Sequence, residues 1–157
     1  MAQGRRRMNR RDALSALWLA LAVAAGAARE FLFVNLNYQL DYLVNRRDRN
    51  YAHSRFRRWA EGLDAGDLTA WKWLLAAAFV ALTAALTVAL ARTRFGDHRY
   101  RTRILGAFAA LAAFALACHL GAQAAPALRP VSIAVLHALQ YPVPLLVVWA
   151  LSWMRQG

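Results

Sequence analysis

The stretch "WKWLLAAAFVALTAALTVALA", residues 71–91, carries Lys72 as its only charged residue. A helix that crosses a membrane needs about 20 mostly apolar residues, and this stretch is that long. Two later runs, 104–125 and 131–153, contain no Asp, Glu, Lys or Arg at all. A fourth run, 13–34, precedes them and holds Arg29 and Glu30 near its far end. Polar links at 35–70, 92–103 and 126–130 separate the four. The pattern predicts an all-α, polytopic membrane protein. Its single domain, residues 1–157, is read as four transmembrane helices in an antiparallel bundle, with a polar, partly helical first outer loop at 35–70.

Composition agrees with that reading. The chain has 157 residues, 60% of them hydrophobic, against about 45–50% in soluble domains. Burying four such helices away from water needs more protein than this chain contains. The net charge is +12, and Lys72 is the only lysine among 20 basic residues. The charges sit between apolar runs, so anionic phospholipids of the bilayer are the expected partner and nucleic acid is not. A single cysteine, Cys118, excludes an intramolecular disulfide.

Arginine placement gives an orientation. Arg5, Arg6, Arg7, Arg10 and Arg11 precede the first run, and Arg92, Arg94, Arg99, Arg101 and Arg103 crowd the link at 92–103. Basic links stay cytoplasmic, so both termini are expected inside a bacterial inner membrane. The outer loop opposes this with Arg46, Arg47, Arg49, Arg55, Arg57 and Arg58. Trp71, Trp73, Trp149 and Trp153 lie at run ends, where indoles favour head groups. The first run also has signal-peptide features: Arg10-Arg11 ahead of it, and the small triplet Ala25-Gly26-Ala27. Apolar residues resume at once as "FLFV", so a retained helix is expected.

The segment after it, "VNLNYQLDY" (34–42), alternates apolar and polar residues as a half-buried strand does. No partner strand is visible, and an unpaired edge is not tolerated beside hydrocarbon. A helical continuation is the better reading. Asn35 and Gln39 then stack on one side, and Asn37 and Asp41 on nearly the opposite side. Two polar stripes suit a helix placed between protein segments, and an irregular interfacial segment is the alternative. The following "NRRDRNYAHSRFRRWAEGL" suits a short surface helix, with Arg55, Arg57 and Arg58 toward phosphates and Trp59 toward lipid. Asp67 is the expected N-cap of the next helix, and His98 is expected in a solvated turn.

Chemistry-bearing motifs are few. There is no glycine-rich phosphate loop, paired cysteine motif, HExxH or nucleophile-elbow serine. Small residues at Gly106, Ala109, Ala110, Ala113, Ala117 and Gly121 predict a close helix-packing face. His119 and His137 lie seven residues either side of the 126–130 link. An antiparallel pair would place both about 10 Å below the outer end, near Glu30, Gln123, Gln140 and Tyr141. Ionisable groups within a membrane point to a functional role. A polar network joining helices is one reading of this set, a b-type haem between His119 and His137 is another, and a metal or proton role for the two is a third. Arg29 and Glu30 are adjacent, point about 100° apart on a helix and need not pair, and Arg29 can snorkel outward to phosphates.

Three functions compete. The absence of motifs and the two-striped extension favour an accessory or assembly subunit of a larger membrane complex, with no cofactor and with other subunits or a second copy as partners. A haem electron carrier is the alternative. A third is an enzyme or transporter that acts on lipid head groups through the outer loop.

Overall fold

The structure, a computed structural model, describes residues 9–96 and 99–154; Arg5, Arg6, Arg7 and His98 lie outside them. The described residues are helical and contain no strand. The helices are α1 (Arg10–Val44), α2 (Ser54–Trp59), α3 (Ala65–Phe95), α4 (Arg99–Gly121), α5 (Leu128–Gln140) and α6 (Val143–Met154). Three of them, α1, α3 and α4, are long and apolar enough to cross a membrane, and α5 with α6 makes a fourth if the bent pair is one span.

The alternating segment is helical. α1 passes through it unbroken for 35 residues, about 52 Å at 1.5 Å per residue. Its partner α3 has 31 residues, about 46 Å. Both exceed a hydrocarbon core of about 30 Å. They run antiparallel along their whole length. Arg94 meets Asp12 at 2.9 Å and Trp18 Nε1 donates to Thr93 Oγ1 at 3.1 Å near one end. Phe33 packs on Phe79 further along, and Lys72 Nζ donates to Asn37 Oδ1 at 2.7 Å near the other. α3 opens on a reciprocal cap: Asp64 Oδ1 accepts from the Asp67 N–H at 2.8 Å, and Asp67 Oδ2 accepts from the Asp64 N–H at 3.3 Å. The N-cap is therefore Asp64, not Asp67, because the helix begins at Ala65, well before the apolar run. It stops at Gly96, whose φ of +69° suits a residue without a Cβ.

The fourth apolar run is not one helix. It bends by 60° between Gln140 and Val143. Pro142 has no N–H to give the carbonyl a turn earlier, and it drives Tyr141 out of the helical region, to φ −97° and ψ 166°. Both pieces nevertheless follow α3 in one direction. Leu136 packs beside Ala76 and Phe79, Leu139 beside Ala84, and Leu145 beside Leu86 and Leu90. The pair thus continues in one direction past the break and is not a hairpin that turns back. Gly26 of α1 seats the break: a Cβ there would lie 3.7 Å from Pro142 Cδ.

α4 lies on the flank of the bundle. It buries Phe108, Ala115 and Cys118 and exposes Leu105, Leu111, Phe114, Leu116 and Leu120. The small-residue stripe is not the packing face. Gly106, Ala109, Ala110, Ala113 and Ala117 are all exposed. Phe108, with Ile104 and Ala112 beside it on the opposite side, already fills the contact with α3 and α5.

The link between α1 and α3 folds back as a cap. Leu36, Ala52, Phe56, Ala60 and Leu68 form a buried cluster joining α1, α2 and α3. Phe56 therefore points into the chain, while Arg55, Arg57, Arg58 and Trp59 remain exposed, Trp59 against the Trp71 ring edge at 5.5 Å.

Candidate functional site

Both polar stripes of α1 find partners within the chain. Asn35 is buried; its Oδ1 accepts from the His53 N–H at 2.5 Å and its Nδ2 donates to the Phe31 carbonyl at 2.7 Å. Gln39 is buried too and accepts from Asn50 Nδ2 at 2.6 Å. On the other side Asn37 holds Lys72, and Asp41 accepts from Asn45 and, at 3.2 Å, from Arg47 Nε. Asn35 and Gln39 are thus covered by the chain's own loop and are not open to lipid or to another subunit. Asn35 thereby supplies an acceptor to a loop backbone N–H, and Gln39 supplies one to the Asn50 side chain.

The most organised polar group sits where α1 crosses the break after α5. Arg29 is only 3% exposed. Its Nε donates to Gln140 Oε1 at 2.9 Å. Its Nη1 donates to Tyr141 Oη at 3.0 Å and to Glu30 Oε2 at 3.2 Å. Tyr141 Oη donates in turn to Glu30 Oε2. Gln140 Nε2 reaches the Ala76 carbonyl of α3 at 3.3 Å. The guanidinium also lies over the Phe33 ring at 4.7 Å and the Tyr141 ring at 4.8 Å. Arg29 therefore does not snorkel, and it does pair with Glu30. Its neighbours on α5 offer a carbonyl and a hydroxyl at short range, and the aromatic faces favour a cation. No protein group among the described residues accepts from Nη2, and that atom is not sealed from the cleft beside it.

That cleft, about 740 Å³ and open on one side, lies between α1, α3, the end of α4 and α5. Arg29, Gln140, Tyr141 and Ala76 form its floor. Phe33, Val34, Ile133 and Leu136 add apolar lining, and Lys72 and Arg129 add positive charge. Lys72 is one helical turn from Ala76, about 6 Å by helix rise. Among the described residues neither Lys72 nor Arg129 has a carboxylate partner. Among the described residues Glu30 is the only carboxylate on the cleft, against three cations.

The two histidines border the same cleft. His119 sets its ring edge-on to Trp73 at 4.9 Å, and His137 its ring edge-on to Tyr141 at 6.1 Å. Neither makes a side-chain hydrogen bond to Gln123, Gln140 or Tyr141. Of the residues expected in one network, the structure links Glu30, Gln140 and Tyr141 through Arg29. It leaves His119 and His137 at the margin. Gln123 is exposed in the turn beyond α4, whose helix ends at Gly121. Among the described residues no group of three or more His, Cys, Asp or Glu is arranged to hold a metal ion. Sequence reasoning missed Arg29 as the hub, and Lys72 and Arg129 as cleft residues. The only available signal for Arg29 was its charge inside an apolar run.

Compared with protein-family models, curated proteins and solved structures, the chain matches none.

Proposed function

We propose that the protein is a small integral membrane protein whose cleft binds an anionic amphiphile, the head group near Lys72, Arg129 and Arg29 and the tail along the apolar wall. One observation carries this reading: of the three cations that line an open, partly apolar cleft, Lys72 and Arg129 have no carboxylate partner among the described residues, and Glu30 there is already engaged by Arg29 and Tyr141. Cations without acid partners are costly to hold beside apolar surface, and an anionic head group offsets that cost.

A lipid environment is supported by the exposed leucines and phenylalanine of α4, a surface that water disfavours. The arginine-rich end, where α1 starts, is assigned to the cytoplasm of a bacterial inner membrane, and the cleft to the outer leaflet level. A retained first helix is supported by the contacts of Asp12, Trp18 and Ala22, which tie α1 to α3 and α6 ahead of the small triplet. Both stripes of α1 are engaged inside the chain, so they no longer argue for an accessory subunit, and that reading rests on the missing motifs and the exposed small-residue face of α4. A haem between His119 and His137 is the competing occupant, since both face the cleft.

The test uses purified full-length protein in neutral detergent. In an Arg92→Gln/Arg101→Gln background, phosphatidylglycerol should raise the melting temperature and phosphatidylcholine should not, with the effect lost on adding Lys72→Gln/Arg129→Gln. Equal stabilisation by both lipids would overturn the reading. A Soret band in the purified protein would favour haem instead.

A further inference from the structure

A second groove lies at the opposite end of the bundle, remote from the cleft. It has a volume of about 360 Å³ and opens between the last turns of α3 and the first turns of α4. Ala85, Val88 and Leu105 line its apolar length, and Arg92 and Arg101 stand at its rim. The groove exists because α3 presents small side chains here. Ala85 and Val88 do not fill the space to α4, and helix contact is made further along, at Ala84 and Phe108.

Electrostatics select the occupant. Among the described residues at this end, Arg10, Arg11, Arg92, Arg94, Arg101 and Arg103 are accompanied by one described acid, Asp12, and Asp12 is taken by Arg94. Arg92 and Arg101 therefore meet no carboxylate among the described residues. The rim asks for an anion with several acceptor oxygens, and the wall below it asks for a hydrocarbon chain. We infer that the groove between α3 and α4 is a binding site for an anionic phospholipid of the leaflet at the arginine-rich end, its phosphate between Arg92 and Arg101 and one acyl chain along Ala85, Val88 and Leu105. This inference is independent of the cleft, shares no residue with it, and places a lipid in the other leaflet. A zwitterionic lipid fits the wall equally well but brings no net charge to the rim, so head-group charge is the discriminating property.

The experiment places the full-length protein in nanodiscs that contain phosphatidylglycerol or phosphatidylcholine with a photoactivatable acyl chain, and maps the labelled peptides. Labelling from phosphatidylglycerol should concentrate on residues 85–105. Each arginine near an anionic head group changes affinity about fivefold, so Arg92→Gln and Arg101→Gln should each reduce labelling there by that factor. Arg92→Lys and Arg101→Lys, which keep charge and fold, should retain most of it. Ala85→Phe should abolish it by filling the groove, while Lys72→Gln/Arg129→Gln, in the cleft, should leave it unchanged. Equal labelling by both lipids, labelling spread evenly over all helices, or insensitivity to both the glutamine and the Ala85→Phe changes would overturn the site.

Discussion

Arg29 Nε donates to Gln140 Oε1 across 2.9 Å, tying the first long helix to the last turn of α5 where the fourth span breaks. Both residues are almost fully buried, so each is satisfied chiefly by the other and by Tyr141 and Ala76. Losing either partner should cost about 1–3 kcal/mol, because a buried polar group is left unpaired. Melting in detergent should show Arg29→Met and Gln140→Leu each lowering stability. The double variant should lose less than the two single losses combined, with a coupling of about 0.5–3 kcal/mol. Strict additivity would mean that the bond does not join the two sites.

Gly26 offers a graded test of the break. A Cβ there meets Pro142 and Tyr141 at ordinary contact distances of 3.7 and 3.9 Å. Gly26→Ala should therefore be neutral or stabilising, by up to about 1 kcal/mol from helix propensity. Gly26→Leu must push the break away and should cost about 1–3 kcal/mol. A well-tolerated leucine, read by the same melting measurement, would show that α1 does not pass this close to Pro142.

Asn35 holds the loop ahead of α2 through the His53 N–H. Asn35→Leu removes the acceptor, leaves that N–H unpaired, and should cost about 1–3 kcal/mol. The effect should be local. Amide exchange should accelerate at His53 and its neighbours, while Leu86 and Leu90 keep their protection. Unchanged exchange at His53 would count against the cap.

The apolar runs were legible because composition and length alone identify a helix that can span, and the helical nature of 34–42 followed from the lack of a partner strand. The break was not legible from hydropathy: Pro142 sits in an apolar run, and a broken span and an intact one have the same composition. Arg29 illustrates a second limit. Its charge was visible, but whether it turns to lipid or to α5 depends on how α1 is rotated against Gln140, which no local pattern encodes. The same holds for α4, where a stripe of small residues suggested a contact face and the opposite side, around Phe108, took that role. Lys72 and Arg129 lie far apart in sequence and become cleft neighbours only through the packing of α3 and α5.

Orientation can be settled in intact cells. In a Cys118→Ala background, single cysteines replace Gly62, in the loop before α3, and Arg101, at the start of α4. An impermeant thiol reagent should label position 62 and spare position 101. The reverse pattern would place the arginine-rich end outside and move the cleft to the cytoplasmic leaflet level.

The central claim is that the cleft prefers an anionic amphiphile, and native mass spectrometry of the full-length protein tests it most directly. The protein is offered equal amounts of phosphatidylglycerol and phosphatidylcholine, and bound lipid is counted for the parent chain and for Lys72→Gln/Arg129→Gln. Arg92→Gln/Arg101→Gln is built into both backgrounds to silence the second groove. The account predicts preferential retention of phosphatidylglycerol by the chain with an intact cleft. Each cation contributes about fivefold, so the cleft variant should lose most of that preference. Equal retention of the two lipids, or a preference that survives loss of both cleft cations, would contradict it.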